Sequence, residues 1–332
     1  MPISLLDLAI VGRDESVRDA LDGSVALARR AERLGFTRVW YAEHHNMASI
    51  ASSATAVLIA HVAAHTERIR LGAGGVMLPN HAPLVIAEQF GTLATLHPDR
   101  IDLGLGRAPG TDQPTMRALR RGPTSADSFP HDVLELQGYL NDDTRVPTVN
   151  AIPGRGTRVP LYILGSSLFG AQLAAQLGLP YGFASHFAPD ALHQAMATYR
   201  DGFRPADQGT APWAIAGVNV VVAETEEVAA EELLATRRSR VKRFLGRQFG
   251  GRHLSDDDAD AILASPQGAS IDSMMRYTAA GTPDQVRGYL DEFATSCGAD
   301  ELMVVLQGRT VAGRLHAAEL LAEGVELTPL PT

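Results

Sequence analysis

The chain has 332 residues, 45% of them hydrophobic and 20% charged, with a mean hydropathy of −0.02; these are the proportions of a globular protein long enough for one large domain. No run approaches the roughly 18 consecutive apolar residues of a membrane span, and the opening Met1-Pro2-Ile3-Ser4-Leu5-Leu6-Asp7 lacks the basic, apolar and small-residue segments of a secretion signal, so no membrane partner is expected and the expected location is the cytoplasm. A net charge of −9 argues against a nucleic-acid partner, and the single cysteine, Cys297, excludes an internal disulfide and multi-cysteine metal sites, leaving it a packing role.

Strand-like and helix-like runs alternate along the chain. Residues 3–10 are apolar and strand-like, 17–34 have helical spacing and stop at Gly35, and 37–41 form a second strand. That strand runs into Val39-Trp40-Tyr41-Ala42-Glu43-His44-His45, which delivers one carboxylate and two imidazoles at a strand end. Successive residues of an extended chain point to opposite faces, so Glu43 and His45 are expected on one side and His44 on the other. Residues 54–64 read as a helix, 69–73 as a strand closing in Ala73-Gly74-Gly75-Val76, 83–96 as a helix opened by Pro83, and 101–105 as a strand followed by Gly106-Arg107.

The alternation resumes beyond residue 160. Strand 161–164 passes through Gly165-Ser166-Ser167 into helix 168–177, which ends at Gly178, and strand 181–184 precedes helix 189–203. Strand 215–223, helix 226–245, helix 283–295, strand 301–306 and helix 311–323 complete the series. Eight strands, each followed by at least one helix, are the arithmetic of a TIM barrel. The alternative, a doubly wound sheet, is weakened because no dinucleotide glycine fingerprint follows the first strand. Two stretches depart from the repeat: 107–160, read as a helical insertion after the fourth strand, and 246–281, read as a mobile lid before the last. The whole chain reads as one domain.

Several residues carry chemistry in this frame. Arg107 among small residues suits bidentate phosphate contact at the barrel mouth, although one of 28 arginines is ordinarily a surface charge. Gly165-Ser166-Ser167 at a strand–helix junction offers free amides and hydroxyls to an anion, and the same serines serve equally as an N-cap. Two glycines at 74–75 permit either a strained backbone or a plain bend. A His–Glu metal site lacks a third ligand nearby in sequence, so no metal is expected. Lys242, the only lysine, lies on a charged helix away from any strand end, which argues against a Schiff-base aldolase. Helices 54–64 and 83–96 are apolar on several faces, which predicts a homodimer through them. Glu88 would then need a partner, with His81 and Gln89 as candidates, and His186 and Phe187 after the sixth strand are candidates for substrate contact or for packing.

With the triplet and the strand count in place, the chain resembles the bacterial luciferase-like, flavin-dependent monooxygenases, in their single-chain, homomeric branch. The resemblance rests on Ala42-Glu43-His44-His45-Asn46, Gly72-Ala73-Gly74-Gly75-Val76-Met77-Leu78-Pro79-Asn80-His81, Ala87-Glu88-Gln89-Phe90, the run from His97-Pro98-Asp99-Arg100 to Gly104-Leu105-Gly106-Arg107, and Ile163-Leu164-Gly165-Ser166-Ser167. It implies reduced flavin mononucleotide (FMN), supplied by a separate reductase, reacting with dioxygen through a 4a-hydroperoxide to oxygenate a small organic substrate. It also implies that the phosphate lies at Arg107, Ser166, Ser167 and the backbone near Gly170, and that a cis peptide lies against the ring within Ala73-Gly74-Gly75. His44 is then the residue at the chemistry, oriented by Glu43 and His45; luciferase itself carries Glu where this chain has Ser166. Two alternatives remain: a deazaflavin-dependent oxidoreductase on the same barrel, and a non-catalytic flavin-binding protein.

Overall fold

The structure is a computed structural model that describes residues 1–12, 14–108, 111–122, 124–244 and 254–329. Eight parallel strands close into a barrel: β1 (Ile3–Asp7), β2 (Arg38–Tyr41), β3 (Arg70–Met77), β4 (Ile101–Gly106), β5 (Leu161–Gly165), β6 (Tyr181–Phe183), β7 (Ala214–Val222) and, last in the chain, β9 (Glu301–Leu306). Each neighbour pairs with the next, and closure comes from β6 on β7, β7 on β9 and β9 on β1.

One strand was not expected. The four residues of β8 (Thr278–Gly281), Thr-Ala-Ala-Gly, carry almost no β-branched or alternating signal. They pair because β6 ends after three residues and covers only Ala214–Ala216 of β7, which leaves the edge from Asn219 to Val222 for β8. The described part of the stretch read as a lid carries regular structure. Residues 254–281 build α9 (Asp256–Leu263), α10 (Gly268–Met274) and β8, with an apolar cluster of Val241, Leu254, Ala259, Ile262, Ile271 and Met275 against α8 (Glu226–Phe244). The rest of the lid reading, residues 246–253, lies outside the described residues. In the 107–160 region the chain forms α4 (Gln113–Ala118) and α5 (Phe129–Asn141), the latter burying Phe129, Val133, Leu136 and Leu140 in the main core.

The surrounding helices start and stop where local chemistry dictates. In α1 (Val17–Leu34) Ser16 and Asp19 exchange side-chain and backbone hydrogen bonds, and Gly35 ends the helix in the left-handed conformation at φ 93°. In α11 (Pro283–Cys297) Thr282 and Gln285 do the same, and Gly298 closes it. The remaining helices are α2 (Thr55–Ala63), α3 (Pro83–Leu96), α6 (Leu168–Leu177), α7 (Leu192–Gly202) and α12 (Val311–Gly324). Among the described residues no helix is long and apolar enough to cross a membrane. On α2 and α3, Val57, Val85 and Leu96 stay exposed at 71%, 43% and 66%.

Inside the barrel the side chains form three layers. At the N-terminal end Arg38 donates to Asp102 (2.7 Å), to the Tyr162 hydroxyl (2.7 Å) and to Glu301 (3.2 Å). Ser4 and Trp213 also donate to Glu301, and Arg70 pairs with Asp102. The middle layer is apolar: Leu6, Trp40, Ala42, Tyr162, Ile215, Met303 and Val305. The third layer, at the C-terminal mouth, holds the polar groups described next.

Candidate active site

The strand alternation of β2 carries into the loop that follows. Trp40 and Ala42 face the barrel interior while Tyr41 joins the core beneath the helices. Glu43 continues the outward series and is buried at 2% exposure. It accepts hydrogen bonds from His45 Nε2 (2.8 Å), His81 Nε2 (2.9 Å) and the amide of Met77 (3.1 Å). Burial opposes ionisation of Glu43, but the His45 and His81 hydrogen bonds, the charge of His81 and the Met77 amide outweigh it and hold the carboxyl at about 2. The same bond raises His45 above its ordinary value. Glu43 is thus an anchor that ties the β2 loop to the β3 loop. His81, a candidate partner for Glu88, bonds Glu43 instead.

His44 takes the opposite face. Its Nδ1 is buried with no hydrogen-bond partner among the described residues, and burial, then the charge of Arg243, lowers its pKa, which favours the neutral imidazole. His186, in the loop after β6, faces it closely enough to be influenced by it. Burial first, then Arg240 and His44, push His186 down to about 3, and its Nδ1 is likewise buried and unpaired. Gly217 of β7 makes room for this ring: a Cβ there would stand 2.3 Å from Nδ1. Asn219, two residues on, donates to the His186 carbonyl (2.7 Å) and accepts from Arg240 of α8 (2.9 Å) and from Gln307 (3.0 Å). Phe187 sets its ring edge-on to His186 at 5.0 Å and stays 46% exposed.

A second constellation forms where β4 and β5 end. Gly106 pairs with Leu164, which brings Arg107 beside the Gly165-Ser166-Ser167 turn, and the guanidinium stacks on the Phe169 ring of α6 at 4.1 Å. Arg107, Ser166 and Ser167 are exposed, and Ser167, the N-cap of α6, makes no side-chain capping bond. The amides of the first turn have no acceptor within their own helix, so two hydroxyls, those amides and a guanidinium are free to face one anion. Gly170 is different: it is buried, and a Cβ on it would meet the Tyr181 ring at 3.3 Å, so its lack of a side chain serves helix–strand packing. Tyr181 in turn donates to the Ser167 carbonyl (3.2 Å).

Between the two constellations β3 carries a register irregularity at Ala73–Val76, and the Gly74–Gly75 peptide is cis. The expected strand end at Ala73 is corrected here, because β3 continues to Met77. Gly74 is half-exposed, with Leu6 and Trp40 2.7 and 2.8 Å from where a Cβ would stand. Ala73 buries its side chain in the core beneath the helices, so only its backbone is available to a ligand.

Arg240, Arg243, Asn219 and Gln307 are mouth residues absent from the sequence-based candidates. Helix 226–245 reads as a solvated charged face, because five of its residues are Arg or Lys and four are Glu. The available signal was the i, i+3 spacing of Arg240 and Arg243 astride buried Val241.

A family model described as luciferase-like monooxygenase matches residues 1–301. A protein of Escherichia coli (strain K12) named luciferase-like monooxygenase is 46% identical over 96% of this chain and 95% of its own. An uncharacterised protein of Bacillus subtilis (strain 168), YvbT, is 45% identical over 97% and 96%. The crystal structure of apo-MsnO8 superposes with a TM-score of 0.88 at 38% identity, covering 99% of both chains.

Proposed function

The chain belongs to the luciferase-like monooxygenase family, an oxidoreductase of that kind, and we propose that it oxygenates a small organic substrate using reduced FMN and dioxygen at the C-terminal barrel mouth. The observation that carries the reading is the pair of constellations on one rim. A half-buried, neutral imidazole whose Nδ1 is unpaired among the described residues, His44, sits above an apolar barrel interior, and a free guanidinium–hydroxyl–amide cradle opens at the ends of β4 and β5.

The residues present fit the cofactor. Arg107, Ser166, Ser167 and the first-turn amides of α6 would hold the phosphate, and Gly74 and Gly75 leave the β3 rim bare of side chains where a planar ring would rest. When bound, reduced FMN supplies the two electrons with which one oxygen atom of O2 goes to substrate and the other to water. The protein's own tasks are then positional. Leu6, Trp40, Ala42 and Ile215 form a dry floor that keeps bulk water from the reacting atoms. His44 holds or accepts a proton at Nδ1, and its lowered pKa favours the neutral imidazole, so productive turnover falls only as pH drops below the ordinary imidazole range. Glu43 and His45 act through His44 by fixing the loop that carries it.

Reduced flavin comes from a separate reductase in this reading, since the chain has no nicotinamide fingerprint, and both proteins work in the cytoplasm. The exposed Val57, Val85 and Leu96 of α2 and α3 support a homodimer through residues 54–64 and 83–96. The test is anaerobic titration with reduced FMN, followed by oxygen, with flavin absorbance recorded. A transient that His44→Ala shortens or abolishes while FMN binding survives is expected. Binding with no oxygen-dependent transient would overturn the reading in favour of flavin storage, and turnover of deazaflavin without oxygen would overturn it in favour of hydride transfer.

A further inference from the structure

The basic residues near the end of α8 divide into two sets. Those on its outer face are paired with acids of α9 and α10: Arg237 with Asp272, Arg238 with Asp260 and Lys242 with Asp256. Arg240 and Arg243, one turn apart, are turned toward the barrel. Arg240 donates to the neutral amide of Asn219 on β7, at 2.9 Å. Arg243 lies close enough to His44 to depress that imidazole. Among the described residues neither forms an ion pair, and the residues outside the description contain no Asp or Glu. Both guanidiniums are weakened by burial, Arg240 further by the charge of Arg243, which takes it down to about 10. Two half-buried cations that repel each other beside two neutral imidazoles are an arrangement that an anion would relieve.

The helix dipole gives one reason for cations at this place, because the C-terminal end of α8 favours them. That effect is worth a fraction of what it costs to bury unpaired charge, and it does not require them to face inward. Asn219 holds Arg240 in place through three hydrogen bonds of its own amide: from Gln307, to the His186 carbonyl and from Arg240 itself. The phosphate cradle lies two strands away round the rim, at β4 and β5, and has its own arginine.

We infer that Arg240 and Arg243 receive an anionic group of the organic substrate, a carboxylate, and thereby select organic acids and hold their reacting end beside His44. The inference rests on the proposed monooxygenase reading, and it assigns the substrate class within it. A carboxylate suits two guanidiniums that can each offer paired N–H donors, and the apolar lining of Leu6, Trp40 and Ile215 suits a hydrocarbon body.

The test is a matched pair of probes, octanoate and octanamide, titrated by calorimetry into the full chain with and without FMN. Octanoate is expected to bind about tenfold or more tightly than the amide, the discrimination of a charge-assisted hydrogen bond. Arg240→Gln and Arg243→Gln should each shrink that ratio toward unity, and Arg243→Lys should restore part of it. Equal affinity of acid and amide, absence of octanoate binding, or a ratio that survives both substitutions would overturn the inference. So would a variant that loses reduced-FMN affinity while keeping the acid preference, because the charge would then answer the flavin. The acid-to-amide ratio is measured without oxygen, so it can fail or hold independently of the oxygen-dependent transient.

Discussion

Replacing Glu43 by Gln tests the anchor on which the placement of His44 depends. The carboxylate is buried, accepts from His45, His81 and the Met77 amide, and titrates at about 2 against an ordinary 4.5. At about 1.4 kcal/mol per pH unit, that gap corresponds to about 3 kcal/mol of native-state stability. Because the folded pKa is depressed, this contribution is fully present above pH 4.5 and is lost as pH falls toward 2. His45 adds the opposite dependence: its folded pKa is raised, so its share is complete below pH 6.5 and fades as pH rises through the folded value. The assay is urea unfolding of the wild type and Glu43→Gln from pH 2.5 to 8.5. The expected result is a difference of about 2–3 kcal/mol near pH 6, shrinking modestly toward pH 8.5 and steeply below pH 4.5. A difference under about 1 kcal/mol at pH 6, or one independent of pH, would refute the reasoning.

Three further outcomes follow from the same geometry. Arg38→Ala takes the ion-pair partner from buried Glu301 and one of two arginines from buried Asp102, which keeps Arg70, and should cost about 3–5 kcal/mol in chemical unfolding, whereas an equally sized loss of activity without loss of stability would contradict a structural role. Gly217→Ala places a methyl 2.3 Å from His186 Nδ1; the ring must move, with a cost of about 1–3 kcal/mol in unfolding and a changed His186 resonance in the nuclear magnetic resonance spectrum. Arg107→Ala should weaken FMN by about ten- to a hundredfold with little effect on riboflavin, which lacks the phosphate, in a fluorescence titration.

The barrel itself was legible in the sequence, because eight short apolar strands alternating with capped helices leave few other architectures. The opposite facing of Glu43 and His44 was equally legible, since it follows from the two-residue period of an extended chain. Grouping Arg107 with the serines at 166–167 came from the family resemblance, and the pairing of Gly106 with Leu164 sets their strand ends side by side. What failed to show was β8, whose Thr-Ala-Ala-Gly has no pattern and which forms only because short β6 leaves an edge of β7 unpaired.

Distance along the chain hid the rest. His81 stands 38 residues from Glu43, and only the return of β3 beside β2 brings them together, which makes one of the two candidate partners of Glu88 part of the β2 loop anchor. Arg38, Asp102 and Glu301 stand 64 and more residues apart, and barrel closure points all three inward to form one ion-pair cluster. Arg240 and Arg243 read as two more charges on a solvated helix, and packing of α8 over the end of β7 set them apart from their paired neighbours. Periodicity and strand-end composition are local properties, so the barrel could be read from the chain alone. Which charges meet, which are neutralised and which are left facing the mouth is a matter of three-dimensional proximity, and only the closed barrel decided it.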